Sequence, residues 1–366
     1  MIRIMFHIDT LIGGGAEKVL CNLVNHMDHS KFDITVQTVY PDDATKYLAD
    51  GIHYKSIYPS KNKYHQMLYR AEAALGLVYP LHMKDDYDIE IAYLEFGPTK
   101  VIASSTNKKA KKIAWVHCDY DIAIPDKEAF VKKTASQYKK YDKIACVSEK
   151  CKDSFVSLFG NDPEVVVIHN VIDDKEILEK ADQPLLGDKK KRFTLCTVGR
   201  LSAPKNYIRL LKTAYKLHGY GFDFDLWFVG DGEQRNLIED YIREQDMGSY
   251  VTLYGFQKNP YPYMKAADLL VCSSNYEGFS TFIAEGLILG KPIITTDCSG
   301  MRELLGDSEY GVIVPNKDEA FYDGVKMMLS MNKEELKEYA DKSLVRGKLF
   351  STDYLVKDTE FFFDTV

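Results

Sequence analysis

Two glutamates, Glu277 and Glu285, stand eight residues apart in the stretch SSNYEGFSTFIAEGLILGKPIITT. A carboxylate taken out of water needs a hydrogen-bonding partner, a counter-charge or a ligand. The apolar run FIAEGLILG would draw Glu285 inward on a helix. Gly278, Phe279, Ser280 and Thr281 precede or open that helix, and their free N–H groups would suit a phosphate. Glu285 could then accept from vicinal hydroxyls such as those of a ribose, and Glu277 from a second polyol. A ligand carrying both phosphate and sugars fits the pattern; a capping acid followed by a surface helix acid is the plainer alternative.

Further candidates follow other apolar runs. Arg200 and Lys205 lie five apart in VGRLSAPKN, where Pro204 is expected to open a helix. A guanidinium and an ammonium at a strand's carboxyl end make a diphosphate clamp, against the alternative of a solvated loop. Gly13, Gly14 and Gly15 follow IRIMFHI and run into a helix, a turn that lets backbone N–H groups approach an anion. The dinucleotide fingerprint G-x-G-x-x-G is absent there, since Lys18 stands where its third glycine belongs, and VGDGEQR fails likewise at Arg235. His117 closes KIAWVH and Glu95 stands in YLEFGPTK, both at strand ends. The plain alternative for His117 is a satisfied core histidine. Asp86/Asp88, Asp119/Asp121 and Asp223/Asp225 are D-x-D triplets, which elsewhere bind metal–nucleotides and which an Asp-rich chain produces by chance.

Positioning such residues takes a scaffold of strands whose ends converge. IRIMFHI, FDITVQTVY, DIEIAYL, KIAWVH, KIACVS and EVVVIHN alternate with helical segments, as in a parallel sheet with crossover helices. The polar stretch DKEILEKADQPLLGDKKKR interrupts them, giving a linker near 175–192. The alternation restarts with FTLCTVGRL, FDLWFVG, VTLYG, DLLVCSS, PIITT and YGVIVP. The expectation is α/β, two doubly wound domains over 1–175 and 190–350, with a last helical segment at 351–366. Ligands of such folds gather at the carboxyl ends of the strands, so two halves can serve one cleft.

At 366 residues, 45% hydrophobic and 28% charged, the chain can build two cores, and its net charge of −7 argues against a nucleic-acid partner. Seven cysteines without a CxxC pair read as buried thiols of a reducing cytosol. The N-terminal apolar run is short for a signal peptide, and no segment has the length of a membrane span. A cytoplasmic location follows as the expectation.

With these residues in view, the chain resembles the family 4 glycosyltransferases, retaining enzymes of the GT-B fold. EGFSTFIAEG matches their E-x7-E signature, GGGAEK their glycine loop, VIHNVID their inter-domain segment and VGRLSAPKN their Arg/Lys element. VGDGEQ, LYGF and GKPIITTDCSGMRELL fall in the expected order, and the flavour is that of bacterial capsule and exopolysaccharide enzymes. The resemblance implies two Rossmann-like domains facing a cleft, with the C-terminal helix crossing back to the first. It implies that Arg200 and Lys205 bind the donor diphosphate, Glu285 the ribose and Glu277 the transferred sugar. Gly278, Phe279, Ser280 and Thr281 would hold phosphate oxygens, Gly14 and Gly15 would approach the donor from the other domain, and the base would lie near Gly255 and Phe256. His117 matches the family histidine beside the donor sugar, although this chain reads His-Cys-Asp where many relatives read His-Asp, a departure that bears on Asp119 as an acceptor-side candidate; Glu95, which ends a strand facing the expected cleft, is another. No metal or other cofactor is implied. The partners are a nucleoside-diphosphate sugar, UDP-linked, and a lipid-linked glycan acceptor. The basic stretch 100–152 would rest on an anionic membrane surface or stay solvated. The competing expectations are a sugar-nucleotide epimerase of the same fold, a metal-dependent transferase using a D-x-D triplet, and a non-catalytic sugar-nucleotide-binding partner.

Overall fold

Seven segments of the first half, the six apolar runs and one more, form parallel strands of one sheet: β1 (Ile2–His7), β2 (Phe32–Thr38), β3 (His53–Ser56), β4 (Ile89–Ala92), β5 (Lys111–Val116), β6 (Lys143–Cys146) and β7 (Glu164–Val167). They pair in the order β3-β2-β1-β4-β5-β6-β7. Six runs of the second half form another parallel sheet: β8 (Phe193–Val198), β9 (Phe224–Val229), β10 (Val251–Gly255), β11 (Leu269–Cys272), β12 (Ile293–Thr296) and β13 (Val312–Val314). Their order is β10-β9-β8-β11-β12-β13. The computed structural model describes residues 1–12, 14–185, 192–277, 279–298 and 300–366.

Central strands β4, β11 and β12 are buried along their whole length; β11 accordingly reads as an unbroken apolar run, while β4 buries Glu90 and β12 two threonines. β3 was not foreseen. It is an edge strand of sequence HYKS with alternating exposure, so no apolar run marks it.

The chain divides into two compact units, Met1–Val171 with Thr352–Val366, and Ile172–Ser351. The 175–192 stretch, read as a linker, begins instead with a helix, Asp174–Ala181, inside the second unit. Ile177 and Ala181 lie four apart on its buried face, and Asp173 caps it by accepting from Glu176 N at 2.8 Å. The helix Thr352–Asp364 belongs to the first unit, where the Phe363 ring meets Phe6 at 6.0 Å and Phe32 at 6.1 Å, edge-on.

In each sheet the order reverses direction once, between β1 and β4 and between β8 and β11. Side chains following those strands are therefore brought side by side at the carboxyl edge.

Candidate functional site

In the second unit, β8 runs out into Gly199 and Arg200, and then a 3-10 turn, Ala203–Lys205. Pro204 opens this turn and not the α-helix, which starts at Tyr207 after Asn206 at φ 47°. The detour swings Lys205 over the neighbouring strand's exit. Lys205 Nζ donates to Glu277 Oε1 at 2.6 Å, and Ser274 Oγ donates to the same oxygen at 2.6 Å. Both charged side chains are mostly out of water, 22% and 11% exposed. Burial lowers the Lys205 pKa, but the Glu277 carboxylate, together with Cys272 and Tyr207, outweighs it and holds the ammonium well above the ordinary lysine range.

A network the sequence did not announce sets this arrangement. Arg209, buried on the helix after the turn, donates to Asn316 Oδ1 at 2.6 Å, Asn275 Oδ1 at 3.2 Å and Asp318 Oδ1 at 2.8 Å. Asn275 N donates to the Pro204 carbonyl at 2.7 Å, and Ser273 Oγ to the Lys205 carbonyl at 2.8 Å. Loops after β8, β11 and β13 are thus stapled together. The only sequence signal was an arginine inside the apolar helical run YIRLL.

Arg200 points elsewhere. Its side chain is 70% exposed, with Nε 3.3 Å from Glu233 Oε2, so it is held loosely. Glu285 is buried on the helix Thr281–Ile288 and accepts from the Tyr261 hydroxyl at 3.1 Å. Burial and the adjacent carboxylate push the Tyr261 hydroxyl far up, so it stays a donor. Ser280 occupies the N-cap of that helix, yet its hydroxyl caps nothing. Its Oγ is buried with no hydrogen-bond partner among the described residues. Phe279 is buried with its ring 6.1 Å from Phe350, while Gly278 lies outside the described residues. Gly255 ends the edge strand β10 at φ 69°, and the Phe256 ring beside it is 76% exposed. The backbone is crowded at this rim: a Cβ on Gly230 would overlap the Gly199 carbonyl oxygen.

In the first unit, Gly14 is the uncapped N-cap of the helix Gly15–His26, and both glycines are exposed. The Glu17 carboxylate folds back over Gly14, filling the space a Cβ would take. The expected anion position at this helix start thus already holds an acid. Glu95 is buried and accepts from the backbone N–H of His117 and, at 2.8 Å, of Cys118. It anchors the exit of β5. Asp119 is buried as the N-cap of Tyr120–Ala123, accepting from Asp121 N at 2.9 Å.

His117 packs its ring 4.9 Å from Tyr93, and its Nε2 is buried without a hydrogen-bond partner among the described residues. Burial pushes its pKa down to about 3, against a hydrogen bond to the Tyr93 main chain. His7, which sequence reading passed over, ends β1 in the same condition. Its Nδ1 lies 3.1 Å from the Gln37 carbonyl, Nε2 has no partner among the described residues, and burial lowers the pKa to about 4. Both imidazoles are therefore neutral in the fold at pH 7.

A depressed histidine pKa makes the unfolded chain the better proton acceptor below about 6.5. The stability from each neutral histidine is complete above that value and is lost as pH falls toward 4 for His7 and 3 for His117. Denaturant titrations between pH 7 and 5 should show His7→Asn with a mean pH slope shallower than the parent by about 1 kcal/mol per unit. An unchanged slope would refute the neutral assignment of His7.

The D-x-D triplets are engaged otherwise. Asp88 accepts from Arg3 N, Asp121 pairs with Lys127 and Lys150, and Asp223 and Asp225 face Arg192. Among the described residues no cluster of three His, Cys, Asp or Glu side chains could hold a metal ion.

Two parallel, doubly wound Rossmann-like sheets with these strand orders define an α/β protein of the GT-B fold. Residues 13–176 match the model described as Glycosyltransferase Family 4, and residues 179–343 the model described as Glycosyl transferases group 1. The chain belongs to the family 4 glycosyltransferases. It is similar to the N-acetylgalactosamine-N,N'-diacetylbacillosaminyl-diphospho-undecaprenol 4-alpha-N-acetylgalactosaminyltransferase of Campylobacter jejuni, 32% identical over 60% of each chain. It is 25% identical to the lipopolysaccharide core biosynthesis glycosyltransferase LpsE of Rhizobium meliloti over 57% of this chain and 61% of that one. The chain thus spans about three-fifths of the length of these curated relatives. Among solved structures, Anabaena HepE in complex with UDP-glucose superposes with a TM-score of 0.78 at 17% identity, covering both chains fully.

Proposed function

We propose that the protein transfers a hexose or N-acetylhexosamine from a UDP-sugar to a hydroxyl of a lipid-linked glycan, in bacterial surface polysaccharide biosynthesis. The observation that carries this is the Lys205–Glu277 pair beside the helix start where the buried Ser280 hydroxyl has no partner among the described residues. An ammonium has three donors, so Lys205 can keep Glu277 and still meet a phosphate oxygen. The start of Thr281–Ile288 offers N–H groups and a favourable dipole to the same diphosphate. Arg200, loosely held, is free to turn onto it and stabilise the charge that develops on the leaving group. Glu285 holds the ribose hydroxyls, Glu277 a hydroxyl of the transferred sugar, and Phe256 supports the base.

Transfer proceeds with retention and without a metal in this reading. The acceptor hydroxyl attacks on the face the diphosphate leaves from, and its proton passes to the departing phosphate. The names of the relatives support the substrate classes: the Campylobacter enzyme's name specifies a diphospho-undecaprenol-linked acceptor, and HepE was solved with UDP-glucose. An epimerase would need the same donor groups and no acceptor.

The enzyme would work at the cytoplasmic membrane face. Among the described residues no helix is long and apolar enough to cross a membrane. Within the basic stretch Lys111, Lys127, Lys143, Lys150 and Lys152 are paired to acids, whereas exposed apolar side chains (Tyr64, Met67, Leu75 and Leu81) gather at 64–81. Contact through that apolar face, with neighbouring lysines, would fade with added salt.

Calorimetric titration with UDP and UDP-sugars in EDTA tests the donor site. One-site binding is expected, weakened roughly 10- to 100-fold in Arg200→Ala through lost charge-assisted hydrogen bonds. Folding stability should stay within about 0.5 kcal/mol, because the Arg200–Glu233 pair is exposed. A requirement for divalent cations, or affinity indifferent to Arg200 and Glu285, would overturn the assignment.

A further inference from the structure

At the switch point of the first unit, between β1 and β4, Asp9 follows one strand and Phe96–Gly97 the other, and with Tyr69 they supply three side chains that donor chemistry does not use. Asp9 follows β1 by two residues and is exposed. Its carboxylate and the Tyr69 hydroxyl engage each other on one side of Gly97. A Cβ on Gly97 would lie 2.9 Å from Asp9 Oδ1 and 3.3 Å from the Tyr69 hydroxyl, so the absence of a side chain there makes room for both.

Directly before Gly97 stands Phe96, at φ 65° and ψ −94°. This is a costly backbone state for any residue with a Cβ, and more so for a bulky one. Core packing does not explain it, because Phe96 is 59% exposed. The surroundings nevertheless hold it in place. Glu95 is fastened to the backbone of His117 and Cys118, and Thr99 Oγ1 donates to the Leu94 carbonyl at 3.0 Å. Lys100 N donates to the Phe96 carbonyl at 3.1 Å, and the Phe130 ring steadies the Phe96 ring edge-on at 6.0 Å. A strained loop locked so as to present an aromatic ring to solvent, at the place where such sheets bind ligands, has the marks of a binding platform.

The chemistry of the three side chains selects the ligand. An aromatic ring packs on the C–H face of a pyranose, and a carboxylate beside a phenol hydroxyl accepts and exchanges hydrogen bonds with sugar hydroxyls. We infer that Phe96, Asp9 and Tyr69 form a subsite for a pyranose ring, with Phe96 as its floor and Asp9 as its hydroxyl acceptor. Calling that ring part of the acceptor rests on the transfer reading above, whereas sugar binding itself does not.

The test is saturation-transfer NMR with the methyl α-glycosides of glucose, galactose, N-acetylglucosamine and N-acetylgalactosamine. At least one should receive saturation from the parent protein, and this signal should fall several-fold in Phe96→Leu and in Asp9→Asn. Phe96→Tyr, which restores the ring, should keep it, and so should Glu285→Ala. No glycoside above an inert reference solute, survival of the signal in Phe96→Leu, or its equal loss in Phe96→Tyr would each overturn the subsite. Failure of UDP titration would strike only the donor assignment, because these probes need no nucleotide.

Discussion

Lys205→Ala should cut transfer severely and also weaken the fold. The ammonium is the cation paired with Glu277, whose side chain is 11% exposed and which also accepts from the neutral Ser274 hydroxyl at 2.6 Å. Removing one partner of a mostly buried pair leaves an uncompensated charge, a loss of about 3 kcal/mol. In the proposed reaction this ammonium meets charge developing on the leaving phosphate, so its removal should lower kcat/KM by roughly 10²- to 10³-fold. The two effects separate in the double variant Lys205→Ala/Glu277→Gln. There the buried charge is gone, so urea unfolding should recover most of the lost stability while activity stays low. If the double variant is no more stable than Lys205→Ala, the pair is not the source of the stability loss. If Lys205→Ala turns over normally, the lysine has no part in the chemistry.

Glu285→Ala is expected to lower UDP affinity roughly 100-fold, the loss of a buried charged acceptor for two ribose hydroxyls. Stability should change less, because the side chain removed is itself a buried acid whose presence is costly unless it is hydrogen-bonded, as it is to Tyr261. The assignment to the ribose has its own check by calorimetry. Deoxy analogues of UDP lacking one ribose hydroxyl should bind the parent protein more weakly than UDP does, and bind Glu285→Ala equally well. An equal penalty for the missing hydroxyl in both proteins would remove Glu285 from the ribose.

Much of this was legible because burial and chemistry left marks in the same places. The central strand β11 is buried along its whole length and reads as an apolar run, and the glutamate stretch joined a helix start to an acid inside an apolar helix. Edge strand β3 left no such mark, since HYKS is half exposed and polar. The helix Asp174–Ala181 was hidden by its charged outer face, with only Ile177 and Ala181 buried. Within the site, sequence gave Lys205 and Glu277 separate tasks, one on phosphate and one on sugar; it could not show them 2.6 Å apart, because that contact spans 72 residues and depends on β8 and β11 being neighbours. Arg209 escaped notice for the same reason: its partners Asn275, Asn316 and Asp318 come from loops distant in the chain. Phe96 was invisible in a different way. Its significance is a backbone angle, which residue type does not encode.

The helix Thr352–Asp364 closes over a core whose other parts come from the start of the chain. Phe363 rests on Phe6 and Phe32, and Phe362 lies edge-on to Trp115 at 6.5 Å. On the ribosome, every residue of the second unit is therefore synthesised before the first unit can seal its hydrophobic interior. The earlier-made half must wait with Phe6, Phe32 and Trp115 uncovered, while Ile172–Ser351 can already assemble as a unit of its own. The order of birth and the order of completion are thus reversed, and a released chain truncated just before Thr352 would carry the whole second unit and an unfinished first, the natural target of a chaperone that binds exposed aromatic surface.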